Sequence, residues 1–106
     1  MAELGQVVDN PTASRFELRL GEYVAFAEYE RHQDSIVFTH TEVPEELEGQ
    51  GVGSALARGA LEIARERGAP VIPLCPFIAG YLRRHSEYLD LVSAPIRAEL
   101  RLDAPG

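Results

Sequence analysis

Residues 44–68, PEELEGQGVGSALARGALEIARERG, set three glycines at alternate positions, Gly49, Gly51 and Gly53, directly before a long run of helix-forming residues. From Gly51 onward the apolar period is helical. Val52, Ala55, Leu56, Gly59, Ala60, Ile63 and Ala64 fall on one stripe, and Ser54, Arg58, Glu62, Arg65 and Glu66 take the other side. Gly68 suits a left-handed C-cap, and Pro70 prevents continuation. The mouth of such a helix has N–H groups without intrahelical acceptors and the positive end of the helix dipole. Glycine there removes Cβ atoms and supplies the φ > 0 conformations that aim successive amides into one concavity, so the stretch reads as a phosphate cradle. A plain strand-to-helix turn leaves unexplained why glycine runs on into the first helical turn, where it costs about 0.5–1 kcal/mol against alanine.

Working outward, Phe16, Leu18 and Leu20 alternate with Arg15, Glu17 and Arg19, the pattern of a half-exposed strand that turns at Gly21-Glu22. A second strand runs from Tyr23 to about Glu30 and is stopped by the polar cluster Arg31 to Ser35. In a third, Ile36 to Val43, Ile36, Phe38 and His40 point to one face and Val37, Thr39 and Thr41 to the other. The short connections predict an antiparallel meander. Beyond the helix, Val71 to Phe77 is a nearly continuous apolar run. It marks a buried strand reached through a helical crossover, hence parallel to the third, although Pro73 and Pro76 are unusual in a central strand. A second helix is expected over about Ile78 to His85, with His85 as its cap. A further turn follows around Glu87 to Val92, which Ser86 caps. The tail from Ser93 is either loosely ordered or an edge strand. The expected class is α/β (α+β), in one domain over residues 1–106.

Composition bounds the function. A chain of 106 residues with 45% hydrophobic and 25% charged residues has the make-up of one globular domain. No apolar run approaches the roughly 20 residues of a membrane span, and MAELGQVVDN has neither a basic nor an apolar leader region, so the expected address is the cytoplasm. The single cysteine, Cys75, allows no internal disulfide, and with His32, His40 and His85 it shows no metal-ligand spacing, so no metal is expected. All ten basic residues are arginine, and the net charge is −7. Nucleic acid and membrane partners are therefore not expected, whereas cationic partners such as amines suit an acidic surface.

A P-loop is excluded because no Gly-Lys-Ser/Thr follows the glycines. A dinucleotide fingerprint fails at Ser54, which stands where the third glycine belongs. What remains is a diphosphate held by backbone amides. Glu48-Gly49-Gln50-Gly51-Val52-Gly53 resembles the acyl-coenzyme-A loop of the GNAT superfamily of N-acetyltransferases, Q/R-x-x-G-x-G/A. More closely, the chain resembles a short acetyltransferase-like subfamily along almost its full length, through VVDN (Val7 to Asn10), RFEL (Arg15 to Leu18), HTEVP (His40 to Pro44), EGQGVGSAL (Glu48 to Leu56), P-x-CPF (Pro73 to Phe77) and RRHSEYLDLV (Arg83 to Val92). Glu48 replaces the usual Gln or Arg, which shifts phosphate binding onto the amides.

The resemblance implies a minimal GNAT-like fold whose third and fourth expected strands splay apart, opening a slot for the pantetheine arm. Pro73 and Pro76 suit such an interrupted ladder. It also implies acetyl-CoA contacts at Val43, Glu48, Gly49, Gln50, Gly51, Val52, Gly53, Ser54, Pro76 and Phe77, with Arg83 or Arg84 reaching the 3′-phosphate. Acetyl transfer to an amine needs attack geometry, a base for the ammonium proton, an oxyanion donor and an acid for the leaving thiolate. His40 and Glu42 are candidates for the base, directly or through water. Cys75 protonates the leaving sulfur, accepts the acetyl group or is a small buried structural residue, and Tyr88 is a further candidate acid. The function so implied is an acetyl-CoA-dependent N-acetyltransferase acting on an amine of a small molecule or protein, as a monomer or homodimer. The alternative is a non-catalytic acyl-CoA sensor or regulatory module. The chain is short for the full superfamily fold, so acceptor-binding parts are expected to be absent or to come from a partner.

Overall fold

A computed structural model describes residues 5–103, and expectations for the residues outside that range are not addressed by it. Four alternating segments joined by short turns pair antiparallel in chain order: β1 (Val8–Asn10), β2 (Arg15–Leu20), β3 (Tyr23–His32) and β4 (Ser35–Glu42). After the helix α1 (Val52–Arg67), β5 (Val71–Pro73) joins β4 in parallel and completes the sheet order β1-β2-β3-β4-β5. Helices α2 (Pro76–Arg84) and α3 (Ala94–Leu100) follow, with 3-10 turns at Glu45–Leu47 and Ser86–Leu91. The fold is α+β.

The core lies on one face of the sheet, where Phe16 packs on Tyr29 and Phe38 with ring centroids 5.0 and 5.8 Å apart. Leu56 and Leu61 of α1 and Ile78 and Leu82 of α2 close over them, fully buried. Ala57 and Leu61 are buried where Ala55 and Ile63 are only partly so, because α1 meets α2 as well as the sheet and its covered face is turned from the expected stripe. Gly68 ends α1 at φ +65, and the Ala69 N–H returns to the Ala64 carbonyl at 2.9 Å, closing a Schellman motif.

Several expectations are corrected. Strand β1 is three residues long, too short for an alternation signal, and β3 continues through Arg31 and His32 because their backbones pair with Ile36 and Ser35. Glu17 is buried, not exposed: it accepts from Asn10 Nδ2 at 3.0 Å, Arg15 Nε at 2.7 Å and Arg19 Nη2 at 3.3 Å, which satisfy its charge. The expected strand Val71 to Phe77 stops at Pro73. It is an edge strand, where a missing N–H is tolerated, and Pro76 instead opens α2, where its own N–H has no helical acceptor to lose. His85, not Ser86, precedes the second 3-10 turn. The tail from Ser93 forms α3 and seats Leu102 in the core at 1% exposure, so it is neither loose nor a strand.

The correction with most bearing on function lies in β4. Phe38 pairs with Tyr29 and His40 with Glu28, so Thr39 is an extra residue without a partner in the ladder, a β-bulge. Opposed residues share a face, and the extra residue inverts the alternation after Phe38. Thr41, opposite the buried Ala27, turns to the core side, whereas His40 and Glu42, opposite Glu28 and Phe26, lie on the other face.

Candidate active site

A cleft of about 440 Å³ opens where β4 ends and α1 begins. Its walls are Thr41 and Val43 from β4 and its exit, Leu47 and Glu48 from the 3-10 turn, Gly49, Gly51, Val52, Gly53 and Ser54 from the glycine loop and first helical turn, and Phe77 from α2. Gly49 and Gly51 take φ +83 and +77, left-handed conformations that a side chain would strain. Gly51 is the N-cap of α1, and no side chain among the described residues caps the helix. The Ala55 N–H donates to the Gly51 carbonyl at 3.0 Å, so the amides of Val52, Gly53 and Ser54 precede the intrahelical ladder. Gln50 braces the loop, its side-chain amide donating to the Glu46 carbonyl at 3.2 Å. Gly53 has a different reason from its neighbours. The Phe77 ring lies against its Cα, which brings the first turns of α1 and α2 together at the cleft.

The ladder between β4 and β5 covers only Ile36 to Phe38. Its last bond comes from beyond β5, the Cys75 N–H donating to the Phe38 carbonyl at 2.9 Å. From Thr39 to Glu42, β4 continues with no strand among the described residues on that side, an open edge beside the cleft. Cys75 is the N-cap of α2, 3% exposed, with Sγ 3.2 Å from Thr41 Oγ1. A meander, a parallel strand that breaks off early, and a glycine-lined helix mouth at the gap meet around one cleft. A family model for the GCN5-related N-acetyl-transferase matches residues 15–91, from the start of β2 to the end of the second 3-10 turn.

The chain belongs to the GCN5-related N-acetyltransferase family. Its fold class and its general chemistry, acyl transfer, follow from that membership. No curated protein matches the sequence. No helix among the described residues is long and apolar enough to cross a membrane.

In this GNAT domain the expected contact residues Val43, Glu48, Gly49, Gly51, Val52, Gly53, Ser54 and Phe77 come together around the cleft. Gln50, Pro76, Arg83 and Arg84 are not on its walls. Arg83 lies near the far end of α2, where Nη2 donates to the Leu100 carbonyl at 2.8 Å and Nε to the Arg101 carbonyl at 3.1 Å, closing the C-terminus of α3. Arg84 is exposed beside it. The three expected catalytic residues do not form one cluster. His40 and Glu42 form an exposed pair, Nε2 to Oε2 at 3.2 Å, on the face of β4 away from Cys75. Tyr88 is buried against α1, donating to Glu62 Oε2 at 2.6 Å, and burial pushes its phenol up to about 12, so it stays protonated at neutral pH. Among the described residues lining the cleft Glu48 alone is charged, which leaves the amides as the groups suited to an anion. Two lining residues escaped the sequence reading. Leu47 was signalled by its place as the one apolar residue among Glu45, Glu46 and Glu48, whereas Thr41 was concealed by the bulge.

Proposed function

We propose that the protein is an acetyl-CoA-dependent N-acetyltransferase, moving acetyl from the thioester to an amine of a small molecule or protein. The observation that carries this reading is the uncapped mouth of α1: left-handed Gly49 and Gly51, and the free amides of Val52, Gly53 and Ser54, line a cleft beside the open edge of β4. A cradle of N–H groups without side-chain acceptors fits a diphosphate. The open strand edge, with Thr41 and Cys75 beside it, would hold the amides of a pantetheine arm. There Cys75 is the residue for the leaving sulfur or for a covalent acetyl step, and the solvent-exposed His40–Glu42 pair receives the proton shed by the amine through water.

Calorimetric titration with acetyl-CoA and with desulfo-CoA, followed by assay of free CoA in the presence of amines, tests the reading. Binding of both ligands, with CoA released only when amine is added, is the expected result. No uptake of either at millimolar concentration overturns it. Glu48 at the phosphate loop and the separation of His40 and Glu42 from Cys75 favour a second reading, an acyl-CoA-binding module without turnover. Tight binding with no amine-dependent release distinguishes that one.

A further inference from the structure

We infer that Thr41 is a catalytic residue of this cleft, passing a proton from the buried Cys75 thiol to the sulfur that departs when the thioester is cleaved. The inference rests on the transferase reading and gives it one further residue. Three observations converge on Thr41. The bulge at Thr39 turns its side chain to the core face, which strict alternation would deny it. Its Oγ1 lies 3.2 Å from Cys75 Sγ, and neither atom has another side-chain hydrogen-bond partner among the described residues. Thr41 is part of the cleft wall, whereas Cys75 is 3% exposed and is not, so the thiol meets the cleft through the hydroxyl.

A hydroxyl has one proton to give and two lone pairs to receive, so it can take a proton on one side while releasing one on the other. As the amine nitrogen bonds to the acyl carbon and the C–S bond breaks, Thr41 Oγ1 gives its proton to the departing sulfur and takes the Cys75 Sγ proton. Cys75 is left as thiolate and, once CoA has departed, regains a proton from water back through Thr41 Oγ1, while the amine's proton passes to solvent, so protons balance over the cycle. Because Thr41 Oγ1 takes one proton as it gives the other, the threonine never exists as a free alkoxide. Cys75 on this account carries a proton and no acetyl group.

The test uses Thr41→Val, which keeps the shape and deletes the hydroxyl, and Thr41→Ser, which keeps the hydroxyl. With Cys75 the sole thiol, the infrared S–H stretch reports this one side chain. Thr41→Val is expected to move that band and to lower kcat for amine-dependent CoA release about 10²-fold, with KM for acetyl-CoA nearly unchanged. Thr41→Ser is expected to restore the band and most of kcat, and intact-mass spectrometry during turnover shows no acetylated Cys75. An unaltered kcat in Thr41→Val, a serine variant as impaired as the valine one, an unmoved S–H band, or an acetyl adduct on Cys75 each overturns the relay while leaving the transferase reading in place. A wild-type protein that binds acetyl-CoA yet releases no CoA with any amine overturns both, and the S–H band then still reports the Thr41–Cys75 bond by itself.

Discussion

The Phe77 ring fills the space that a side chain on Gly53 would need, since a Cβ there would come within 2.7 Å of Phe77 Cζ. Gly53→Ala must therefore displace the ring or the first turn of α1. Overpacking of this kind costs about 1–3 kcal/mol, and we expect that loss in denaturant unfolding together with weaker acetyl-CoA binding. Phe77→Ala in the same chain is expected to recover most of the stability lost at Gly53. A double-mutant cycle in which the two changes are simply additive would refute the contact as the cause.

At Gly51 the constraint lies in the backbone. No atom of the described residues stands within 4 Å of where its Cβ would be, yet φ is +77. Gly51→Ala should cost about 1–2 kcal/mol through left-handed strain, and Gly51→Asn less, because asparagine visits that region more readily. Thermal unfolding of the two variants gives the order directly, and equal losses would speak against a strain origin.

Glu17 couples the outer face of the sheet to acidity. The Arg15 and Asn10 hydrogen bonds hold its carboxyl below the ordinary 4.5 against the opposing effect of burial. A lowered folded value means that its contribution is complete above the unfolded pKa and fades as pH falls through the folded one. Stability should thus decline as pH drops below about 4.5, and Glu17→Gln should flatten that decline while costing about 1–2 kcal/mol at pH 7. Chemical denaturation at a series of pH values between 2 and 7 measures both.

At the alkaline end the sign reverses. Burial pushes the phenols of Tyr29 and Tyr88 up to about 12, helped by the acceptors Asp9 and Glu62. Each contributes stability that is whole below the ordinary value of 10.0 and is lost as pH rises toward 12. Ultraviolet titration should show part of the tyrosine absorbance change delayed past pH 11. Glu62→Ala should advance the Tyr88 share, and a single transition near pH 10 for all tyrosines would contradict the buried placements.

How much was legible in the sequence depended on how many residues each feature spans. The α1 stripe repeats over four turns and the glycine loop adjoins it, so both could be read from composition and spacing, and eight of the expected contact residues do meet around one cleft. The bulge is a single residue. Nothing in Ile36-Val37-Phe38-Thr39-His40 distinguishes a strand that slips at Thr39 from one that does not, because the slip is fixed by pairing with Glu28 and Tyr29 on another strand. That one step sent His40 to the wrong face and hid Thr41. Glu17 was misread for a similar reason, since its burial is licensed by Asn10, seven residues away and on a strand too short to detect. Arg83 looked like a phosphate ligand only while the tail was without structure. Once α3 forms, its terminal carbonyls claim the guanidinium.

Two helices that begin at the same cleft aim two positive dipole ends into a molecule whose net charge is −7. For a polyanionic ligand the distant field is repulsive and the near field attractive. Dissolved electrolyte damps the first beyond a Debye length of about 10 Å at 0.1 M and leaves short amide contacts nearly untouched. Capture of acetyl-CoA should accordingly quicken as ionic strength rises, opposite to the behaviour of proteins that meet phosphates with a cationic surface.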